Sequence, residues 1–503
     1  MPRRISRELK TLSVWALSLA ISGCIGTGGI APQGKRLAAN TLATDDAIQS
    51  AVRDAHWPTS QWWQAYGDPQ LNRWIDLAVH GSPSMAEAAA RVREARAMAG
   101  LAESAEAVQI NGDASLKRHN WPSDQFYGPG KLDNSTTWDN NAALGLSYAL
   151  DLWGRERNAS ERAVDLAHMS VAQARQAQLE LQNNVVRAYI QLSLHYAQRD
   201  IVAATLAQQQ QILDLAQKRL DGGIGTHFEV SQAQTPLPET HRQLDALDEA
   251  IALTRNQLAA LAGKGPGAGA SLQRPTLALG APLKLPSALP AQLLGQRPDV
   301  VASRWQIAAQ ARGIDVAHAG FYPNVDLVGS LGYVATGGGM LEFLTGKKLN
   351  YSVGPAITLP IFDGGRLRAQ LGEASAGYDI AVARYNQTLV NALKGISDQL
   401  IRRESMAKQQ TFAAESVASA QKTYDIAMIA YQRGLTDYLN VLNAQTLLFR
   451  QQQVEQQVQA ARLSAHAELV TALGGGLGAG NDAPAAGQTL PSKTPAALAV
   501  FDH

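Results

Sequence analysis

Residues 154–235 open with Gly154-Arg155-Glu156-Arg157 and close with Ala233-Gln234-Thr235. Moved along by 211 positions, the same stretch meets Gly365-Arg366-Leu367-Arg368 and ends on Ala444-Gln445-Thr446, with no gap needed. Ile190 falls on Ile401, Gly223-Ile224 on Gly434-Leu435, and Val230 on Val441. A repeat of this length sets the architecture. In each copy 68 steps of chain, Arg155 to Gly223 and Arg366 to Gly434, run without proline and are rich in Ala, Gln, Leu and Arg. Such a stretch reads as one uninterrupted helix. At 1.5 Å per residue it would extend roughly 100 Å, longer than an ordinary domain is wide. Two such rods point to a tube or a spacer.

What precedes each rod has a different period. Leu144, Leu146, Tyr148, Leu150 and Leu152 alternate with the small or polar Ala143, Gly145, Ser147, Ala149 and Asp151. Ile110–Asn120 alternates more weakly, and a Gly-, Pro-, Asp- and Asn-containing loop from Trp121 to Trp138 joins the two into a β-hairpin. The second copy repeats the device with Val325–Tyr333 and Asn350–Phe362, where Tyr351, Val353, Ile357, Leu359 and Ile361 share a face. Strands apolar on one side and small or polar on the other match the wall of a membrane barrel. Aromatic residues at both ends (Trp121, Trp138, Tyr333 and Tyr351; Trp153, Phe321, Tyr322 and Phe362) fit its interfacial girdles.

Each rod ends in a turn and a returning helix. Gly222-Gly223-Ile224-Gly225 supplies the residues a helix C-terminus needs, and Thr226-His227-Phe228-Glu229 reads as a capping box. Arg433-Gly434-Leu435-Thr436 takes that place in the second copy, without the Glu. The returns, 226–262 and 436–473, are about half a rod, so the helix before each hairpin must supply the remaining length. Pro236 and Pro238 should kink the first return, whereas the second has Leu447 and Phe449 there.

The 503 residues are 46% apolar and 17% charged, with net charge +1, which argues against a nucleic-acid partner. The single cysteine rules out a disulfide framework and a thiolate metal site, and nothing asks for a cofactor. Residues 1–23 read as an export signal: Arg3, Arg4, Arg7 and Lys10 precede an apolar run, Leu12–Ile21, too short to span a bilayer. Ile21-Ser22-Gly23-Cys24 resembles a bacterial lipoprotein box, which implies lipid on Cys24. The Ile25 that follows implies passage to the outer membrane. Residues 24–66 read as an extended arm with Trp57, Trp62 and Trp63 as anchors. The expected order is then a first repeat over 67–262, a linker over 263–296, a second repeat over 297–473, and a disordered tail over 474–503. No His-x-x-x-His, paired Cys or Ser-His-Asp arrangement stands out, and Gly263-Lys264-Gly265-Pro266-Gly267 lacks phosphate-loop spacing. An enzyme is not expected.

The sequence resembles the TolC-like outer membrane efflux proteins in their lipoprotein branch. The resemblance rests on Asp151-Leu152-Trp153-Gly154-Arg155, Leu285-Pro286-Ser287-Ala288-Leu289-Pro290 with Arg297-Pro298-Asp299-Val300, and Tyr322-Pro323. Leu359-Pro360-Ile361-Phe362-Asp363-Gly364-Gly365-Arg366, and Gly434-Leu435-Thr436 leading to Ala444-Gln445, complete it. It implies a mixed α+β membrane fold: four strands per chain in a trimeric 12-stranded outer-membrane barrel, continued by a helical coiled-coil tunnel in the periplasm. Four strands cannot close a barrel alone, although the arithmetic leaves two copies as open as three. The resemblance implies an efflux duct served by a periplasmic adaptor and an inner-membrane transporter, here of the RND type. A duct for type I protein secretion and a non-conducting periplasmic spacer are the alternatives. By register with the family, Tyr431, Thr436, Asp437, Asn440 and Asn443 stand at the periplasmic gate. Asn440 and Asn443 occupy places where carboxylates are common, so the constriction is expected to be less negative. The tips Gly223-Ile224-Gly225-Thr226 and Gly434-Leu435-Thr436 are the implied adaptor contacts.

Overall fold

Two helices of 67 residues each carry the architecture of the computed structural model, which describes residues 26–43, 45, 46, 48, 58–123, 132–279 and 295–476. In chain order the main elements are α1 (Pro69–Gly81), α2 (Pro83–Ser104), β1 (Gln109–Trp121), β2 (Ser135–Ala149) and the rod α3 (Arg155–Asp221). Then come α4 (His227–Gln234), α5 (Leu237–Leu261), α6 (Pro298–Ala319), β3 (Asn324–Thr336), β4 (Leu349–Thr358), the rod α7 (Arg366–Gln432) and α8 (Tyr438–Ala472). Both rods start after a left-handed glycine, Gly154 at φ 71° and Gly365 at φ 89°. A carboxylate meets the first amides of each: Asp151 accepts from Glu156 N and Arg157 N, and Asp363 from Gly365 N and Leu367 N. The glycines are matched by the repeat, whereas the capping carboxylates are not: Asp363 stands one position later than the counterpart of Asp151.

The strands form one antiparallel sheet in the order β1-β2-β3-β4. Its register lines up one apolar face. Gly112, Leu144, Leu331 and Tyr351 make one row across it, and Ile110, Leu146, Gly329 and Val353 the next. Tyr351, Val353 and Ile357 are 74%, 77% and 68% exposed, so none of the described residues covers this face. The opposite face carries polar ties, Asn141 to Asp113 (2.8 Å) and Ser330 to Ser352 (2.8 Å). Two expected strand ends move. β2 stops at Ala149 rather than running to Leu152, because Asp151 takes a positive φ of 30° to cap α3. β4 stops at Thr358 rather than Phe362 because its partner strand goes no further: Thr358 pairs with Asn324, the first residue of β3. Trp138 lies inside β2, not in the loop.

Below the sheet the helices pack as a layer. Against α3 lie α2 and α6 in the upper half and α5 and α8 in the lower half; α7 packs on α6 and then on α8. Each rod is therefore faced by two shorter helices end to end. Their joints are matched across the repeat, at Gly263 (φ 66°) and Gly474 (φ 96°). A Cβ on Gly263 would sit 2.1 Å from the carbonyl oxygen of Gly81, and one on Gly474 would sit 2.4 Å from that of Gln296. Only glycine fits there. The first return is broken at Thr235-Pro236 into α4 and α5, while α8 runs unbroken for 35 residues. The principal core joins both halves at mid-length, with Trp62, Tyr66, Leu71, Ile75, Tyr189, Leu258 and Val470 among its members.

Sheet and helical layer each keep two open edges, β1 with α2 and α5, and β4 with α7. The exposed apolar residues Met98 and Leu101 of α2, Leu253 of α5 and Ile380, Ile401 and Phe412 of α7 belong to these edge helices. No helix among the described residues is long and apolar enough to cross a membrane.

Candidate functional site at the tunnel tip

The ends of the two rods turn in the same way. Ile224 N bonds back to Arg219 O at 3.0 Å and Leu435 N to Ala430 O at 2.9 Å, positions related by the repeat. Gly223 and Gly434 supply the positive φ, 73° and 72°, that this turn requires. The next helix is capped by Thr226 in the first copy, with the full capping box to Glu229. In the second copy the cap is Asp437, whose carboxylate accepts from Asn440 N at 3.2 Å. The return helix accordingly starts at Tyr438, two residues later than the expected 436, and Thr436 is not the cap. Its hydroxyl accepts instead from the Asn440 side chain at 2.8 Å.

The five gate candidates occupy two different places. Tyr431 is buried, in a core made by Ile212 and Ala216 of α3, Ala233 of α4, Ala420 and Tyr424 of α7, and Val441 of α8. Thr436 is half-buried, while Asp437, Asn440 and Asn443 are exposed. Asn440 also donates to Asp437 at 3.1 Å, so Thr436, Asp437 and Asn440 form a local cluster within one turn. Asn443 lies one turn further along α8.

Two residues of this tip, Tyr438 and Arg219, were not singled out from sequence. Tyr438 is 1% exposed, with its ring 6.1 Å from that of Tyr431; the Arg219 guanidinium lies 5.1 Å from the Tyr431 centroid. Neither Tyr431 Oη nor Tyr438 Oη has a hydrogen-bond partner among the described residues. Burial pushes the Tyr438 hydroxyl up to about 12 and raises that of Tyr431, so both stay protonated. A signal was present for Tyr438: Tyr424, Tyr431 and Tyr438 recur every seven residues. Beyond this core, Ile224 and Phe228 on one tip and Leu435 and Leu439 on the other project as exposed, repeat-matched apolar residues.

The N-terminal arm runs the length of the upper α7. Arg368 Nε donates to Gly26 O (2.9 Å), Asp379 accepts from Gln33 N and Gly34 N, and Asn386 both accepts from Leu37 N and donates to Lys35 O. Ser397 bonds Asp45. Ala39 is buried between α6 and α7 against Val300, Ile307, Val382 and Tyr385. The arm is thus read mainly through its backbone, from Gly26 at the barrel end downward. Trp62 and Trp63 join the mid-length core as expected of anchors; Cys24 and Trp57 lie outside the described residues.

A sheet with a bare apolar face, continuous with a long helical layer, is the geometry of a membrane duct. The sequence profile of the family described as outer membrane efflux protein matches residues 74–264 and again 289–475, once per repeat. The chain belongs to the outer membrane efflux protein family. It is 47% identical over 474 residues to the fusaric acid resistance protein FusA of Burkholderia cepacia, covering 94% of this chain and 89% of that protein. The multidrug resistance outer membrane protein MdtP of Escherichia coli is 28% identical, with 95% and 99% covered. Among solved structures, the outer membrane protein VceC of Vibrio cholerae superposes with a TM-score of 0.78 at 33% identity, covering 84% of this chain and 100% of that one. The Campylobacter jejuni CmeC outer membrane channel, at 22% identity, shares the fold with a TM-score of 0.82 over 90% of this chain and 96% of that one. This member of the outer membrane efflux proteins is thus the outer-membrane component of an efflux system.

Proposed function

We propose that three copies of this chain close into the exit duct of a tripartite pump, which a periplasmic adaptor joins to an inner-membrane transporter of the RND type. The paired open edges of the sheet and of the helical layer carry this reading. β4 of one copy would meet β1 of the next, and α7 would meet α2 and α5, so one closure satisfies both layers and covers their exposed apolar residues. The bare face with Tyr351, Val353 and Ile357 then meets lipid. The repeat-matched Ile224, Phe228, Leu435 and Leu439 suit an apolar adaptor hairpin, reached by the tips Gly223–Thr226 and Gly434–Thr436. Tyr431, Thr436, Asp437, Asn440 and Asn443 hold the closed end, the tyrosine from within the helix bundle and the polar residues from its surface. Transport needs passage and no reaction.

Lipid on Cys24 anchors the duct on the periplasmic side. Two residues of chain reach at most about 7 Å, and Gly26 is held by Arg368 beside the barrel end of α7. The match to FusA makes fusaric acid the first cargo to test. Deleting the gene in its native host should increase susceptibility to exported compounds, and the purified protein should run as a trimer with a stem of roughly 100 Å. A monomer that leaves a planar bilayer impermeable, even with its tip loosened, would overturn the proposal.

A further inference from the structure

At the neck between barrel and tunnel, α3 and α7 flank the shorter α6 and leave a cavity of about 770 Å³. That size suits a small organic ligand. One wall is aromatic: Trp153 and Tyr322, expected from sequence in the interfacial girdle, instead line this cavity, stacked with centroids 4.6 Å apart and planes 19° from parallel, and Trp153 Nε1 is fixed to Pro323 O at 2.9 Å. Three arginines, Arg155, Arg162 and Arg366, come from the two rods. Two of them are engaged, Arg155 with Glu156 at 3.7 Å and Arg366 with Gln370 at 3.2 Å. Arg162 is half-buried and its Nε has no hydrogen-bond partner. The carboxylates on the lining are Asp151, whose two oxygens are taken up by α3 amides, and Glu373. The Arg162 Nε is itself enclosed, so the cavity is reached by the rest of the half-buried guanidinium; the cavity is cationic on balance and sets this charge beside a flat apolar surface.

The helix phase fixes the side to which it opens. At about 100° per residue, four of the six α7 residues on the lining (Arg366, Gln370, Glu373 and Gly377) lie opposite the face of Arg368, Asp379 and Asn386, with Leu367 and Ala374 to one side. That second face carries the N-terminal arm, which starts at the proposed lipid anchor and must lie outside the ring. The cavity then opens on the inside.

We infer that this neck cavity is a lumenal stopping point for small aromatic carboxylates, with Arg162 taking the carboxylate and the Trp153–Tyr322 pair taking the ring. The inference rests on the duct reading and adds to it a chemical class of cargo. A guanidinium and a carboxylate make the stronger kind of hydrogen bond, and a flat ring gains by packing on a fixed aromatic face.

The test is equilibrium binding of 2-naphthoate, and of its neutral amide, to the full-length trimer in detergent. The acid should bind saturably and the amide much more weakly. Arg162→Ala should weaken the acid about tenfold, as loss of one charged hydrogen bond predicts, Arg162→Lys should recover part of that, and Trp153→Ala should weaken acid and amide alike. Naphthoate added to an open trimer in a planar bilayer should reduce its current. Unsaturable binding, equal binding to Arg162→Ala and Arg162→Lys, or displacement by phospholipid headgroups rather than by benzoate would overturn the site. A trimer that conducts without naphthoate block sinks the cavity and leaves the duct standing, whereas a protein that never conducts sinks the duct.

Discussion

Arg219 lies over the ring of Tyr431, 5.1 Å from its centroid, and so ties the last turn of one rod to the last turn of the other. The two positions belong to different halves of the repeat, and Leu220 stands where the copy of Tyr431 would be. Within the chain the tip is held by an asymmetric contact on a symmetric frame. Replacing Arg219 by Ala removes a cation–π contact worth about 1 kcal/mol and should raise the opening frequency of single channels. Tyr431→Phe discards a hydroxyl that bonds to nothing and should change thermal stability by less than about 1 kcal/mol. Tyr431→Ala leaves a cavity in the tip core and should cost about 3 kcal/mol or more. If Tyr431→Phe opens the channel as readily as Tyr431→Ala, the hydroxyl has a partner across the trimer and the packing account fails.

The arm gives a second prediction. Asp379 and Asn386 hold four backbone groups of residues 33–37. The double change Asp379→Ala with Asn386→Ala should release the arm, since each hydrogen bond contributes about 0.5–1.5 kcal/mol and those to a carboxylate more. Limited proteolysis should then cut within residues 26–43 while the tunnel stays intact. Gly34→Val should act alike, because its Cβ would stand 2.9 Å from Asp379 Oδ1. Unchanged protection in both variants would mean that Ala39 and Leu42 suffice to hold the arm.

How far the sequence discloses this fold depends on the range over which each feature is decided. The offset of 211 carries over to the rods, which cover 155–221 and 366–432. Local rules were enough there: long stretches without proline, glycine at the ends, and alternation in the strands. The break at Pro236 was equally legible. Strand ends were misread where a side chain serves the next element, as Asp151 does for α3. The cap of α8 was misplaced by one residue, because Thr436 and Asp437 are both good caps and only the backbone selects between them. Arg219 could not be found at all. Its partner lies 212 residues away, and no local pattern marks the pairing. For the gate candidates, sequence did not show that Tyr431 would be inside the bundle and Asn440 on its surface.

The matched joints give a third prediction. Gly263→Ala and Gly474→Ala each place a Cβ within 2.4 Å of a carbonyl oxygen on backbone of positive φ. Relief needs the two end-to-end helices to part, so each change should cost about 2 kcal/mol or more. The loss should appear as a lower yield of heat-resistant trimer. Gly29→Ala has a similar φ, 73°, but open space around it, and serves as the control for backbone strain alone. If the control is as damaging as the joint variants, contact with Gly81 and Gln296 is not the cause.

Acid should weaken the mid-length core through His466. This imidazole is buried against the ring of Tyr66, centroids 5.6 Å apart, and its Nε2 has no hydrogen-bond partner. Burial, with a smaller contribution from the charge of Arg403, lowers its pKa from 6.5 to about 4. A histidine depressed on folding is neutral in the native state while its unfolded counterpart takes up a proton. Between pH 6.5 and 4 the unfolded chain therefore binds more protons, and stability falls as pH falls across that window. The full effect is about 3 kcal/mol per chain, from 1.36 kcal/mol for each pH unit of displacement. It is complete below the folded value and absent above the unfolded one. His466→Gln keeps a polar side chain of similar reach but cannot take up the proton, so its melting temperature should depend less on pH between 6.5 and 4. Parallel pH profiles for the two proteins would assign the acid sensitivity to carboxylates elsewhere.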